Sequence, residues 1–151
     1  MSKLFNTIFE NSLRVLLLLS ITPKTSKNVD MISALDFIAI YNKTLGIGGQ
    51  DLHGENPFAF SEYTTRREII SEAIKELVLR SLVSIEHCDS GFCYTITQNG
   101  KQAIQSIDND YADEYLVAVS NAISFAKNKN EQQLIAFINQ KATGNKGVKN
   151  E

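Results

Sequence analysis

The residues of this chain that could do chemistry are few, and their spacing keeps them apart. His53 and His87 are its two histidines, and Cys88 and Cys93 its two cysteines. A histidine base needs a nucleophile within hydrogen-bond reach, and neither histidine sits in a serine or cysteine motif that would supply one. His87 directly precedes Cys88, but neighbours on a strand point to opposite faces, so adjacency works against a pair. Two cysteines and one histidine fall short of a closed four-ligand zinc site, and no finger or ribbon spacing surrounds them. The 17 Asp and Glu residues are scattered at helix-surface spacings without an HExxH, kinase or DxD-like pattern. The expectation is a chain that is not an enzyme and needs no metal or cofactor. The cysteines are expected to be reduced and to fill small positions flanking a hairpin tip, a disulfide being allowed by distance alone.

A second group of residues suggests binding. Leu45 to Tyr63 reads LGIGGQDLHGENPFAFSEY, with four glycines, one proline and no helical or strand period. A connection this long in a small domain usually covers a core or presents a surface. It is not a phosphate cradle, because GIGGQDLHG lacks a terminal Lys-Ser or Lys-Thr, a GxGxxG spacing and a preceding strand. Arg66 and Arg67 follow it, with Lys75 two turns on. These three are candidate DNA or partner contacts. Glu68, Glu72 and Glu76 share their surface and would repel phosphate. Pairing of the two arginines with Glu62 and other acids competes with DNA contact.

The element that must carry these cations is a helix. Ile69, Ile70, Ala73, Ile74, Leu77 and Val78 recur at helical spacing, with Thr65 and Glu68 as a capping box at its start. Leu82 to Glu86 and Phe92 to Ile96 then alternate as two strands around Cys88 to Gly91. A helix running into a hairpin is the order of a winged helix. Before it, a first helix is expected from Asn11 or Ser12 to about Ser20, then a turn at Pro23. A second helix follows, capped by Asn28 or Asp30, with Ile32, Leu35, Ile38 and Ala39 inward. After the hairpin Thr97 caps a further helix. Tyr111, Tyr115, Leu116, Val119, Ala122, Ile123 and Ala126 stripe the next, and Leu134, Ile135 and Ile138 mark a short last one. Extra amphipathic helices complete a core or meet a partner, which makes Tyr111, Tyr115, Leu116, Val119 and Ile123 a candidate C-terminal interface.

The fold expected is therefore mainly α with a small β-hairpin: a winged-helix-like domain with additional C-terminal helices. Residues 1–97 form the core with an N-terminal arm. Residues 98–142 are a helical extension packed in the same domain, and 143–151 a flexible tail. At 151 residues the chain suits one domain. Its net charge is -2, without the basic surplus of a protein that binds duplex DNA on its own. SLRVLLLLSI is apolar but broken by Arg14 and too short to span a bilayer, and the mixed charge of Lys3 and Glu10 before it, with no small-residue cleavage pattern after Ser20, argues against a signal peptide. A cytoplasmic location is expected.

GIGG from Gly46, DLHG from Asp51, Pro57 and then RREII through LVLRSLV follow one another in an order that resembles the middle component of three-component ABC-type ATPase systems of bacterial conflict loci, Lamassu-like anti-phage systems among them. FENSLRVLLLL fits as well, so the resemblance runs from about Phe5 to Thr97. It implies a non-catalytic winged-helix-like adaptor that associates with an SMC- or Rad50-like ATPase and an effector subunit such as a nuclease. Double-stranded DNA would be met mainly in that complex. The family pattern falls here on Gly48, Gly49, Leu52 and His53 as a candidate partner-binding loop, and on Arg66 and Arg67. Gly54 stands where the family often has proline. The competing readings are a stand-alone winged-helix transcriptional regulator, dimerising through 111–138, and a purely structural interaction module.

Overall fold

The computed structural model describes residues 8–52 and 63–150, with side chains over 9–52 and 63–141. The chain is a predominantly helical, winged-helix-like fold with one two-stranded antiparallel hairpin and helices following it. Helix α1 (Ile8–Ser20) and helix α2 (Val29–Ile40) are its centre. Both are apolar nearly all round, the pattern of a helix surrounded by others: Val15 through Leu19 and Ile32 through Ile40 are buried without interruption. α1 is already helical at Ile8, ahead of the start expected at Asn11 or Ser12. Asn11 lies inside it and hydrogen-bonds Arg14 instead of capping. Asn28 does cap α2, its side chain accepting the Met31 N–H at 2.8 Å.

Helix α3 (Tyr63–Leu79) buries Ile70, Ala73, Ile74 and Leu77 against α1 and α2. It is already under way at Tyr63, so Thr65 is not its cap and the expected capping box does not open it. Its other end is a Schellman motif. The Ser81 N–H bonds Val78 O at 3.0 Å and the Leu82 N–H bonds Leu77 O at 2.9 Å. Ser81 supplies the left-handed residue with φ 63°.

Leu82 leads into β1 (Val83–Cys88), which pairs with β2 (Gly91–Ile96) in the register Val83 to Ile96, Ile85 to Tyr94 and His87 to Phe92. Each strand is longer at the tip than the spacing suggested, leaving Asp89 and Ser90 as the turn. Cys88 and Cys93 form a disulfide, where reduced thiols were expected. The register explains this: they lie diagonally across the closing rungs, with Cα atoms 6.1 Å apart, inside the range a cystine requires. The other edge of β2 meets the turn before α2, through Lys27 N–H to Tyr94 O (3.1 Å) and Tyr94 N–H to Lys27 O (2.9 Å).

Helix α4 (Gln98–Gln105) is capped by Thr97, which accepts the Gly100 N–H at 3.0 Å and donates to Ser81 O at 2.7 Å. Helix α5 (Asp110–Phe125) packs on α1 and α2, and helix α6 (Glu131–Asn150) on α2. Asn130 and Gln133 exchange side chain-to-backbone bonds at 2.8 and 2.9 Å, a capping box at the start of α6. That helix runs for 20 residues, past the short segment marked by Leu134, Ile135 and Ile138.

Candidate functional site

The glycine-rich approach to α3 is folded back on α2 as far as Leu52; His53, Gly54, Pro57 and Glu62 lie outside the described residues. Gly46, Gly48 and Gly49 take φ of 73°, 101° and 78°, a conformation that costs a side chain energy. Asp51 then closes the turn. Its carboxylate accepts the backbone N–H groups of Lys43 (2.9 Å) and Thr44 (3.0 Å) and the Thr44 hydroxyl. Successive N–H groups of this kind could hold a phosphate, but here the chain's own carboxylate has taken them. Gly49 packs tightly: a Cβ there would lie 2.8 Å from Asn42 Oδ1. Asn42 is buried, bonds Ile38 O at 2.8 Å and accepts from Asn121 of α5 at 3.0 Å. Gly48 is exposed with open space around it, whereas Leu52 packs on the core.

The cations of α3 are met by the chain's own groups. Arg67 pairs with Asp30 at 2.6 Å, Lys75 with Glu72 at 3.4 Å, and Arg80, just past the helix, with Glu76 at 2.8 Å. Arg66 stands over the Tyr41 ring at 5.8 Å, and its buried Nε has no hydrogen-bond partner among the described residues. Such exposed pairs stabilise the fold by at most about 1 kcal/mol each. Their larger effect is to cancel the field that a groove-reading helix would offer to phosphates.

The stripe on α5 divides. Tyr115 and Val119 are fully buried in the chain's own core, and Tyr111, Leu116 and Ile123 are half-buried against it. Val117, off the stripe, is the exposed apolar residue of this helix at 65%. On the hairpin, Phe92 is 53% exposed and Ile85 45% exposed, with His87 beside Phe92 at 4.9 Å between ring centres.

The strongest electrostatic feature escaped the sequence reading. Arg14 is wholly buried and its Nε donates to Asp36 Oδ1 at 2.9 Å. Tyr115 donates its hydroxyl proton to the same oxygen at 2.8 Å, and Arg14 also reaches Tyr111 and Asn11. Burial opposes the Arg14 charge, but Asp36, Tyr111 and Tyr115 outweigh it and hold the guanidinium above its ordinary value. Burial pushes Tyr111 and Tyr63 up to about 12 and Tyr115 well above its usual range. The signal available in sequence was a charge inside the apolar run of each helix, Arg14 in α1 and Asp36 in α2, since an ion in such a position needs a partner.

Among the described residues no group of three or more His, Cys, Asp or Glu side chains could hold a metal ion, and no helix is long and apolar enough to cross a membrane. No curated protein and no solved structure matches the chain. Residues 4–146 match the family model described as ABC-three component (ABC-3C) system Middle Component 2.

Proposed function

The chain belongs to the Middle Component 2 family of ABC-three component systems, and from that membership we propose how it works. As a middle component it is a non-catalytic accessory subunit of a defence system whose other parts include an ATPase. The finer reading is that it bridges an SMC- or Rad50-like ATPase to an effector nuclease in the cytoplasm. The match over residues 4–146 supports the accessory role on which that reading is built. The ion-paired surface of α3 supports it, because a helix whose cations already face Asp30, Glu72 and Glu76 gains little by binding duplex alone.

Contacts to partners are proposed at Gly48, Gly49, Leu52 and His53 of the glycine-rich approach, and at Arg66, Arg67 and Lys75. What remains outside the core of the α5 stripe, Tyr111, Leu116 and Ile123, forms a third contact. Double-stranded DNA is engaged mainly in the assembled complex. Co-purification of the tagged chain with the products of neighbouring genes tests the central claim: a stable complex with an SMC-like ATPase is expected. Absence of that complex when both proteins fold would remove the claim. A promoter-specific footprint with a stable homodimer and no ATPase partner would instead favour the transcriptional regulator.

A further inference from the structure

A groove of about 620 Å³ lies where the turn before α2, the hairpin tip and the α5 to α6 connection meet, a size typical of ligand clefts. Its floor is apolar, from Met31, Leu35, Ile123 and Ala126, and among the described residues no aromatic ring lines it to stack a base. Its charge runs against that of the chain. The sequence carries a net charge of -2, yet among the described residues the groove is lined by Lys27, Lys127 and Lys129 against the single acid Glu131.

These groups are not equivalent. Glu131 is engaged by Asn28 Nδ2 at 3.4 Å, and Lys129 donates to Phe125 O at 3.0 Å over the Phe125 ring. Lys127 is exposed and has no side-chain partner among the described residues. Lys27 is held from the side by the Thr22 and Thr25 hydroxyls, at 2.6 and 2.9 Å, which leaves one of its three ammonium donors for a ligand. Burial alone pulls Lys27 down to about 8, with no carboxylate offsetting it, the condition an incoming anion would relieve.

We infer that this groove docks a segment of another component of the same system, in which a large apolar side chain fills the apolar floor and an adjacent Asp or Glu meets Lys27 and Lys127. The inference rests on the adaptor reading and adds a contact apart from the glycine turn and α3, sharing Ile123 with the α5 surface. An open apolar floor with cations at its rim fits a peptide anchor flanked by acid.

The test uses the full chain and synthetic peptides tiling the other two components, read by fluorescence polarisation. Saturable binding is expected for tiles with an apolar residue beside acids, weakening as salt rises. Lys127→Glu at the exposed rim is expected to weaken it about tenfold, and Lys27→Glu similarly. Arg80→Glu, which makes the same charge change away from the groove, is expected to leave it unchanged. Thermal melts establish that each variant folds. The inference is overturned if no tile binds saturably, if Lys127→Glu binds like the parent, or if ATP and inorganic phosphate bind the groove while peptides do not. A complex that still co-purifies while groove variants leave it intact would sink the groove and spare the adaptor reading; no complex with the unaltered chain would sink both.

Discussion

Arg14 shows how much one residue can hide. In sequence it interrupts an apolar run and serves to exclude a membrane span. In the fold it is the centre of a polar knot, paired with Asp36 across 22 positions, while Tyr115 reaches Asp36 across 79. Removing one partner leaves the other charge buried and unanswered, so Asp36→Asn is expected to lower unfolding free energy by about 3–5 kcal/mol. Urea titration would measure it. The double variant Arg14→Met with Asp36→Leu is expected to recover most of that loss, since an apolar pair needs no compensation. Pairs so distant in sequence are illegible because periodicity reports which face a residue occupies, never which residue it will meet. The same limit separated the α5 stripe: spacing put Tyr115, Val119 and Ile123 on one face, but only packing distinguished the fully buried Tyr115 and Val119 from the half-buried Ile123.

Elements were more legible than contacts. The caps at Asn28 and Thr97 follow from local chemistry, and the helix-to-hairpin order from two periods meeting at Leu82. Helix starts were less so, because Asn11 and Thr65 carry capping side chains while sitting inside helices. Gly100 reads as a defect in the first turn of α4, yet the structure gives it a purpose. A Cβ there would lie 2.3 Å from Leu82 O and 2.7 Å from Ile96 Cγ1. Gly100→Ala is therefore expected to destabilise the fold by about 1–3 kcal/mol, seen as a lower melting temperature, despite alanine's better helix propensity. The cystine is a further outcome at this scale. Without reductant, Cys88 and Cys93 are expected to resist alkylation, and with dithiothreitol both should label. Losing a cross-link over so short a loop is expected to cost about 2 kcal/mol, measurable as a shift in denaturation midpoint.

Across the molecule, buried hydroxyls and one desolvated amine among the described residues, that of Lys27, set the alkaline behaviour. Lys27 is lowered to about 8 in the fold, so between pH 8 and its ordinary value near 10.5 the unfolded chain holds the extra proton and stability rises with pH. Tyr63, Tyr111 and Tyr115 are raised. Their contribution is intact below about pH 10 and is lost as pH climbs toward the folded values near 12 for Tyr63 and Tyr111. Denaturation midpoints are expected to climb slightly from pH 8, then fall beyond pH 10, with Tyr111→Phe flattening the fall. A final consequence concerns the order of assembly. The hairpin can close from neighbours in sequence, whereas the two-bond bridge from Lys27 to Tyr94 joins the first turn of the chain to its second strand. A contact of such separation forms after the local pieces have collapsed. A variant that strengthens it is therefore expected to unfold more slowly while folding at nearly the parent rate, which chevron kinetics would measure and an equal gain in folding rate would refute; on that outcome the subunit's lifetime is tuned at this bridge separately from how fast it is made ready.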